Sequence, residues 1–472
     1  MIFLAISQQS ELLFGLTEAL KKAQETNQNV LFSEVKKIDV TNPLSFYQAG
    51  RERYAGERFF WQDPAKETTI IGLGKAEKLQ GAANAARFKE IESRWSDLLS
   101  NAVKIGTADA AATGPLLFGG FSFDYQKSSS MLWDQFGDHL LYIPAFMLSI
   151  CEGEAYLTAN LICSPEDSAD HFIDLINERE KYIYENLGRG SFSGNELLSQ
   201  TEIQPEEWKK TVAEAVEELK ETDLDKIVLA REMRLVFQDA IFSEAILERL
   251  MAEQTASFIF SLESGSDCFI GTTPERLIKK SKGQLYSACL AGTIARGKTE
   301  EEDELLGAEL LCDQKNLIEH QYVVSMISKA INSVCDRVYI PEKPELMKIR
   351  HIQHLYTPVT GECDPAVSVF SVIDKLHPTP ALGGLPKEKA VTRIREIELL
   401  ERGLYAGPIG WADSYGNGEF AVGIRSGLIQ GNEASLFAGC GVVEDSSPES
   451  EYQETSIKFN PMLSALGGNL HE

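Results

Sequence analysis

Apolar and polar residues change rhythm repeatedly along this chain, and the rhythm sorts segments into strands and helices before any motif is considered. Runs at Thr68–Leu73, Leu140–Leu148, Lys226–Arg231, Cys268–Gly271, Phe420–Ile429 and Ser435–Val443 are bounded by turn residues and read as strands. The opening Met1-Ile2-Phe3-Leu4-Ala5-Ile6-Ser7 lacks a basic segment and a long apolar stretch, so it reads as a first β-strand and not as a signal peptide. Helical spacing is clearest after Gln204-Pro205-Glu206. There Trp208, Val212, Ala215, Val216 and Leu219 form an apolar stripe, with proline at the first position and acids in the first turn. The acidic run Thr299–Glu304 suits a solvated helix start, where carboxylates complement the helix dipole. That helix is expected to continue to about Val334, with Asp313, Asn316 and His320 on one side and Glu319 beside them. A last helix after Ser447-Pro448 sets Glu451, Glu454 and Lys458 on one face.

The strands are joined by turns or helices without regular βαβ spacing, which predicts an α+β fold with mainly antiparallel sheets. The Gly/Ser-rich stretch Gly188–Asn195 is either a linker between residues 1–187 and 200–472 or a long loop inside one domain. No internal repeat or coiled-coil heptad is evident.

Composition narrows the function classes. A chain of 472 residues, 43% hydrophobic and 25% charged, has the makings of a globular core without staples. Acidic residues number 71 against 45 basic ones, a net charge of −26. That field repels a nucleic-acid backbone or an anionic membrane, so neither is expected as a partner, and an anionic substrate needs a local cluster of cations. No run of about 18 apolar residues offers a membrane span. The eight cysteines contain no CxxC pair, which fits reduced, buried thiols and a cytoplasmic location.

Among local motifs, Gly72-Leu73-Gly74 starts like a dinucleotide loop but lacks the third glycine, and reads as a strand-to-loop turn. Asp413–Gly418 lacks alternate acidic ligands, so Asn417-Gly418 reads as a hairpin turn and not as a calcium loop. Lys226 shares a strand face with Val228 and Ala230, and is either a surface strand end or a functional cation. In Glu419–Gly427 one face carries Ala421, Gly423, Arg425 and Gly427. An arginine among minimal side chains has room above it for a bidentate carboxylate. Bare backbone recurs at Ala438-Gly439-Cys440-Gly441, which marks either close approach of a ligand or a bulge. Glu451, Glu454 and Lys458 are either a solvated face with an ordinary ion pair or a site for a hard cation and an anion.

Taken in order, these segments resemble the chorismate-utilising enzymes. The matching stretches are Lys226–Arg231, Gly271-Thr272-Thr273-Pro274-Glu275-Arg276-Leu277, Leu290-Ala291-Gly292-Thr293, Glu319-His320, Leu376-His377-Pro378-Thr379-Pro380-Ala381-Leu382-Gly383-Gly384, Ala421–Arg425, Ala438–Gly441 and Glu451-Tyr452-Gln453-Glu454-Thr455. They cover about residues 205–470. The likeness is looser over 1–190, where Arg58–Gln62 and Phe118–Phe123 fit the longer isochorismate synthases. A lysine at position 226, where ammonia-adding members usually carry a glutamine-type residue, places the chain with the water-adding members. The wording His377-Pro378-Thr379-Pro380-Ala381 and the length favour isochorismate synthases, of the menaquinone pathway more than the siderophore pathway.

The resemblance implies one α+β unit of two large, mainly antiparallel sheets packed together with helices outside. It also implies a Mg²⁺-dependent, reversible conversion of chorismate to isochorismate, with no glutamine amidotransferase partner. Lys226 would be the general base for water attacking C2, and Glu275 the general acid for the departing C4 hydroxyl. Such a lysine needs its ammonium form disfavoured, and such a glutamate needs its proton retained. By the same resemblance Glu319 and Glu454, with Glu451 nearby, would hold Mg²⁺. Thr293, Arg425, Lys458 and the Gly439 backbone would contact substrate, with His354 near the departing hydroxyl. Two departures stand out: Cys440 where alanine is common, and Asn316 where relatives often carry a charge. The alternatives are a salicylate synthase, which also releases pyruvate, and an inactive cation-binding regulatory subunit.

Overall fold

The strand His139–Cys151 is the branch point of the architecture. In the computed structural model, which describes residues 2–106, 110–127, 131–189, 195–348 and 352–470 (the side chains of 2–9, 315, 319 and 352 excepted), it pairs along its length with Thr68–Gln80. Its other edge takes Leu116–Phe121 near the start and Glu154–Cys163 near the end. One sheet arm runs from Thr68–Gln80 through Arg58–Gln62, Phe258–Ser264, Asp267–Thr273, Ser426–Gln430 and Glu433–Val442 to Lys226–Phe237. The other runs from Leu116–Phe121 through Pro408–Asp413, Gly418–Val422, Arg276–Ser281 and Gln284–Ala295 to Ile352–Cys363. All of these pairings are antiparallel; Val30–Ile38 beside Val103–Ile105 is a parallel one. This is the expected α+β arrangement, with the two sheets continuous through a shared strand. In each arm strands from 1–187 come first and strands from 200–472 follow, joined by the pairing of Arg58–Gln62 with Phe258–Ser264 in one and of Leu116–Phe121 with Pro408–Asp413 in the other.

Period-two alternation divides the core. Phe59 and Trp61 face one cluster and Phe60, between them, faces another. The first cluster gathers Phe118, Phe260, Phe269, Phe420 and Phe437 from both arms and extends under the helices Arg87–Ser100, Pro205–Glu221 and Val369–Leu376. Phe59 stacks on Phe118 at 4.1 Å. The second lies beneath Ile2–Thr26, Ala169–Asn186, Ser243–Glu253 and Pro448–Leu466. Each such side chain fully removed from water contributes about 1.5–3 kcal/mol.

Four local expectations change. The strand expected at Met1–Ser7 does not form over its described part: Ile2–Ser7 belongs to the helix Ile2–Thr26, whose buried Leu12, Leu16, Ala19 and Ala23 recur at helical spacing. A short apolar run fits either period, and the register of the residues after it decides. The long helix to Val334 is interrupted. Asp313 leaves helical geometry (φ −71°, ψ 112°) after Glu300–Cys312 and caps Gln314–Asn332, its carboxylate accepting the Asn316 N–H at 2.7 Å. Gly72-Leu73-Gly74 does not end its strand. Thr68–Gln80 runs through it, with Gly74 at φ +70° beside a register shift. Finally, Phe420–Ile429 is two strands in different arms, Gly418–Val422 and Ser426–Gln430. The Asp413–Gly418 hairpin is as expected, with the buried Asp413 carboxylate accepting the N–H groups of Tyr415 and Asn417. Of the stretch 188–195, residues 190–194 lie outside the described part.

Candidate active site

Two chain crossings build the site. Asp267–Thr273 pairs with Ser426–Gln430 in one arm, and Arg276–Ser281 pairs with Gly418–Val422 in the other. The chain therefore passes between arms twice at the same place, once at Pro274-Glu275 and once at Gly423–Arg425. The crossings are tied together: the Val422 N–H donates to the Glu275 carbonyl at 3.1 Å, and the Thr272 N–H to the Arg425 carbonyl at 3.0 Å. Arg425 sits at φ +49°, a left-handed conformation that costs a non-glycine residue of order 1–3 kcal/mol and persists where its surroundings over-determine it. It does not stand on a strand face among Ala421, Gly423 and Gly427, as alternation suggests, because the strand stops at Val422.

Lys226 opens the strand Lys226–Phe237, between Leu385 on one side and the Glu433–Val442 strand on the other. A Cβ on Gly441 would stand 2.5 Å from Lys226 Cε and 3.1 Å from its Nζ, so the lysine stem lies directly over that glycine. Gly439 plays the same part for Tyr405, whose hydroxyl oxygen would be 3.1 Å from an added Cβ. The register through this stretch is unbroken, so these glycines mark close approach of side chains and not a bulge. Gly441→Ala should therefore displace Lys226 and lower kcat by about 10-fold or more, with circular dichroism and Tm near wild type. Unchanged kcat would show that the lysine's position is immaterial.

The helix Pro448–Leu466 delivers the remaining charges. Lys458 Nζ donates to Glu454 Oε1 at 2.7 Å and to the Gly439 carbonyl at 2.8 Å. Burial tends to raise the half-exposed Glu454, but Lys458, and then Arg425 and Lys226, hold it below the ordinary carboxylate range. Glu275 meets the same three cations with the opposite outcome. Burial pushes it up to about 7, outweighing Lys458, Lys226 and Arg425. The difference is local: Glu454 accepts a charged hydrogen bond from Lys458, whereas no such bond to the Glu275 carboxylate occurs among the described residues. Glu451 is raised by burial, is held back by the Ser446 hydroxyl and the Cys440 thiol, and feels the charge of Glu454.

His354 and Thr293 lie opposite each other on paired strands, with Thr293 Oγ1 2.8 Å from His354 Nδ1. Burial, and then the charge of Arg425, press His354 down to about 4 against a hydrogen bond with the Gly292 backbone, so the imidazole is neutral at pH 7. Lys226, Glu275, Arg425, Glu454 and Lys458 thus share one electrostatic neighbourhood, with His354 in reach of Arg425, Lys458 and Glu454. The Glu319 side chain lies outside the described part, and only its place on the helix Gln314–Asn332 is known. No group of three or more side chains fit for a metal occurs among the described residues. The two described carboxylates, Glu451 and Glu454, are hard oxygen donors, and the charge of Glu454 is close enough to help raise Glu451, the setting a divalent cation relieves.

Sequence reasoning missed Tyr405. It is 4% exposed, feels the charge of Arg425, and has its hydroxyl at Gly439. In sequence it is indistinguishable from a core tyrosine. A separate cavity of about 300 Å³, lined by Asp124, Tyr125, Lys127, Arg395 and Arg402 among others, contains none of these residues.

A site of paired carboxylates and clustered cations at the junction of two large antiparallel sheet arms belongs to a known class. The family model described as chorismate binding enzyme matches residues 18–467, and the chain belongs to that family. It is 45% identical over 455 residues to isochorismate synthase MenF of Bacillus subtilis, covering 95% of this chain and 96% of that one. It is 35% identical over 462 residues to the salicylate biosynthesis isochorismate synthase of Pseudomonas aeruginosa, covering 95% and 94%. Its fold is similar to that of MenF, the menaquinone-specific isochorismate synthase of Escherichia coli, with a TM-score of 0.76, 25% identity and coverage of 96% and 99%. The likeness expected over 205–470 thus extends over nearly the whole chain. No helix among the described residues is long and apolar enough to cross a membrane.

Proposed function

We infer that this enzyme is an isochorismate synthase that interconverts chorismate and isochorismate by adding water at C2 and releasing the C4 hydroxyl. Lys226 takes the proton from the attacking water. Glu275 gives a proton to the departing hydroxyl, so that one water enters and one leaves. The observation that carries this assignment is the Glu275 carboxyl, raised to about 7 while surrounded by Lys226, Lys458 and Arg425. A carboxyl near 7 is protonated often enough to act as an acid at neutral pH. Neutral His354 is suited to hydrogen bonding at the departing hydroxyl and not to charge-bearing acid catalysis. Arg425 and Lys458, with the Gly439 backbone that fixes Lys458, hold the substrate carboxylates, and Tyr405 and Thr293 add hydroxyl contacts. These cations also answer the charge problem, since they draw in a dianion despite −26 overall.

The residues fit Mg²⁺ as the cofactor. Glu454, Glu451 and Glu319 would hold it, and when bound it supplies positive charge toward the ring carboxylate of the substrate. Glu319→Gln and Glu454→Gln should each raise the Mg²⁺ concentration for half-maximal activity about 10-fold or more. Glu300→Gln, at the solvated helix start, should not. Equal Mg²⁺ titrations for all three variants would contradict the ligand set.

The 45% identity to MenF of Bacillus subtilis supports menaquinone biosynthesis as the pathway. Length does not separate the pathways, because the relative from salicylate biosynthesis aligns over 94% of its own chain. Cytoplasmic residence fits the absence of cysteine pairing motifs, and sheet ladders that run from residues 1–187 into 200–472 in both arms fit the two parts acting as one domain. Incubating the purified protein with chorismate and Mg²⁺, with and without ammonia, and separating the products tests the reaction. Isochorismate alone is expected. Pyruvate release would indicate a salicylate synthase, and an ammonia-dependent product would place the chain with the amine-adding members.

A further inference from the structure

Between Leu290 and Thr293 the strand Gln284–Ala295 gains a residue over its partner Ile352–Cys363. Leu290 lies opposite Tyr356 and Thr293 opposite His354, so Ala291 and Gly292 together face Leu355. Two residues against one is a β-bulge. Without it the position opposite His354 would fall to Gly292, which has no side chain, and Thr293 would turn to the other face. The Thr293–His354 hydrogen bond therefore exists because of the bulge. Gly292 takes φ +82° there, packed under Asn316 and Leu355.

A bulge leaves backbone groups outside the ladder, and one of them is met by a buried side chain. His320 Nδ1 lies 3.0 Å from the Ala291 carbonyl, and its Nε2 lies 2.7 Å from Thr357 Oγ1. A carbonyl only accepts, so Nδ1 carries the hydrogen and Nε2 accepts from the Thr357 hydroxyl. Thr357 is paired with Cys289, just before the bulge, and the Cys289 thiol packs on the same imidazole, 3.4 Å from Nδ1. One ring thus grips the bulged strand at Ala291 and its straight partner at Thr357. The helix Gln314–Asn332 carries the ring, and the ring is 2% exposed.

We propose that His320 is a positioning residue that latches this bulge and so holds Thr293 on the face of His354. The inference rests on the reading that Thr293 and His354 contact chorismate. An asparagine at 320 places an amide N–H near the Nδ1 position, whereas a glutamine reaches only the Nε2 position. His320→Asn should keep kcat/KM for chorismate within about threefold of wild type. His320→Gln and His320→Leu should lose about 10- to 100-fold, the scale of a misplaced contact group, with the Mg²⁺ half-saturation unchanged. An asparagine variant no better than glutamine, or a leucine variant within threefold of wild type, overturns the latch. So does a loss that appears as a raised Mg²⁺ requirement, which would assign His320 to the neighbouring Glu319. If the leucine variant fails to fold, the contrast between asparagine and glutamine decides. Thr293→Ala and His354→Ala separate the two levels: wild-type kcat/KM in both overturns the site reading itself, whereas loss in both with none in His320→Gln overturns the latch alone.

Discussion

Lys226→Ala should lower kcat by about 10²–10⁴-fold, the usual worth of a general base, while chorismate binding and the fold survive. The reason lies in where the lysine stands. It opens its strand, and that strand is anchored downstream by groups the substitution does not touch. The Val228 N–H donates to the Gly383 carbonyl at 3.0 Å, and the Ala230 N–H to Glu398 Oε2 at 2.8 Å. Arg402 closes the same edge by donating to the Val228 carbonyl at 2.8 Å. Truncation removes a proton acceptor and empties the space over Gly441, but leaves these bonds in place. Steady-state kinetics with purified protein, alongside circular dichroism and a binding titration with chorismate, provide the check. A variant that keeps more than about a hundredth of wild-type activity would show that another group takes the proton.

Glu275→Gln should have an effect of similar size with a distinct pH signature. Glutamine keeps the shape and can donate a hydrogen bond but cannot deliver a proton, so kcat should fall far more than KM changes. The wild-type profile should be bell-shaped. Its alkaline limb reports Glu275 losing its proton, near pH 7 in the free enzyme where the carboxyl is raised to about 7. The variant's residual activity should lack that alkaline limb. If the limb persists, a different acid is at work. His354 would be the next residue to replace, although its depression to about 4 leaves little imidazolium at neutral pH.

Stability should move in the opposite direction. A carboxyl whose pKa is about 7 folded and about 4.5 unfolded binds its proton more tightly in the native state. Its contribution is therefore fully present below about pH 4.5 and is lost as pH rises through 7. Glutamine has no such loss, so the Tm of Glu275→Gln relative to wild type should rise between pH 4.5 and pH 8, by up to about 3 kcal/mol in stability terms. A Tm difference independent of pH would show that Glu275 titrates normally in the folded protein.

The features already legible in the residues are those governed by short-range periods. Three residues at i, i+3 and i+7 must share a helix face, so Glu451, Glu454 and Lys458 came together from spacing alone, as did the apolar stripe from Trp208 to Leu219. The Asn417-Gly418 turn and the Lys226 strand are equally local, and the ordered motifs from Lys226 to Thr455 carried the family. What the fold decided depends on partners far away in sequence. Met1–Ser7 is compatible with two periods until burial of Leu12, Leu16, Ala19 and Ala23 selects one. Asp313 looks like a member of a helix face until its carboxylate is seen capping the next helix. Arg425 alternates correctly for a strand, but the strand ends at Val422, because a chain that must pass from one sheet arm to the other cannot keep both ladders. Tyr405 and Gly441 acquire roles only from what stands opposite them. Lys226 and Glu275 meet for the same reason: strand register and a crossing between sheets are set by hydrogen bonds between distant segments, and no period within either segment encodes the distance between them.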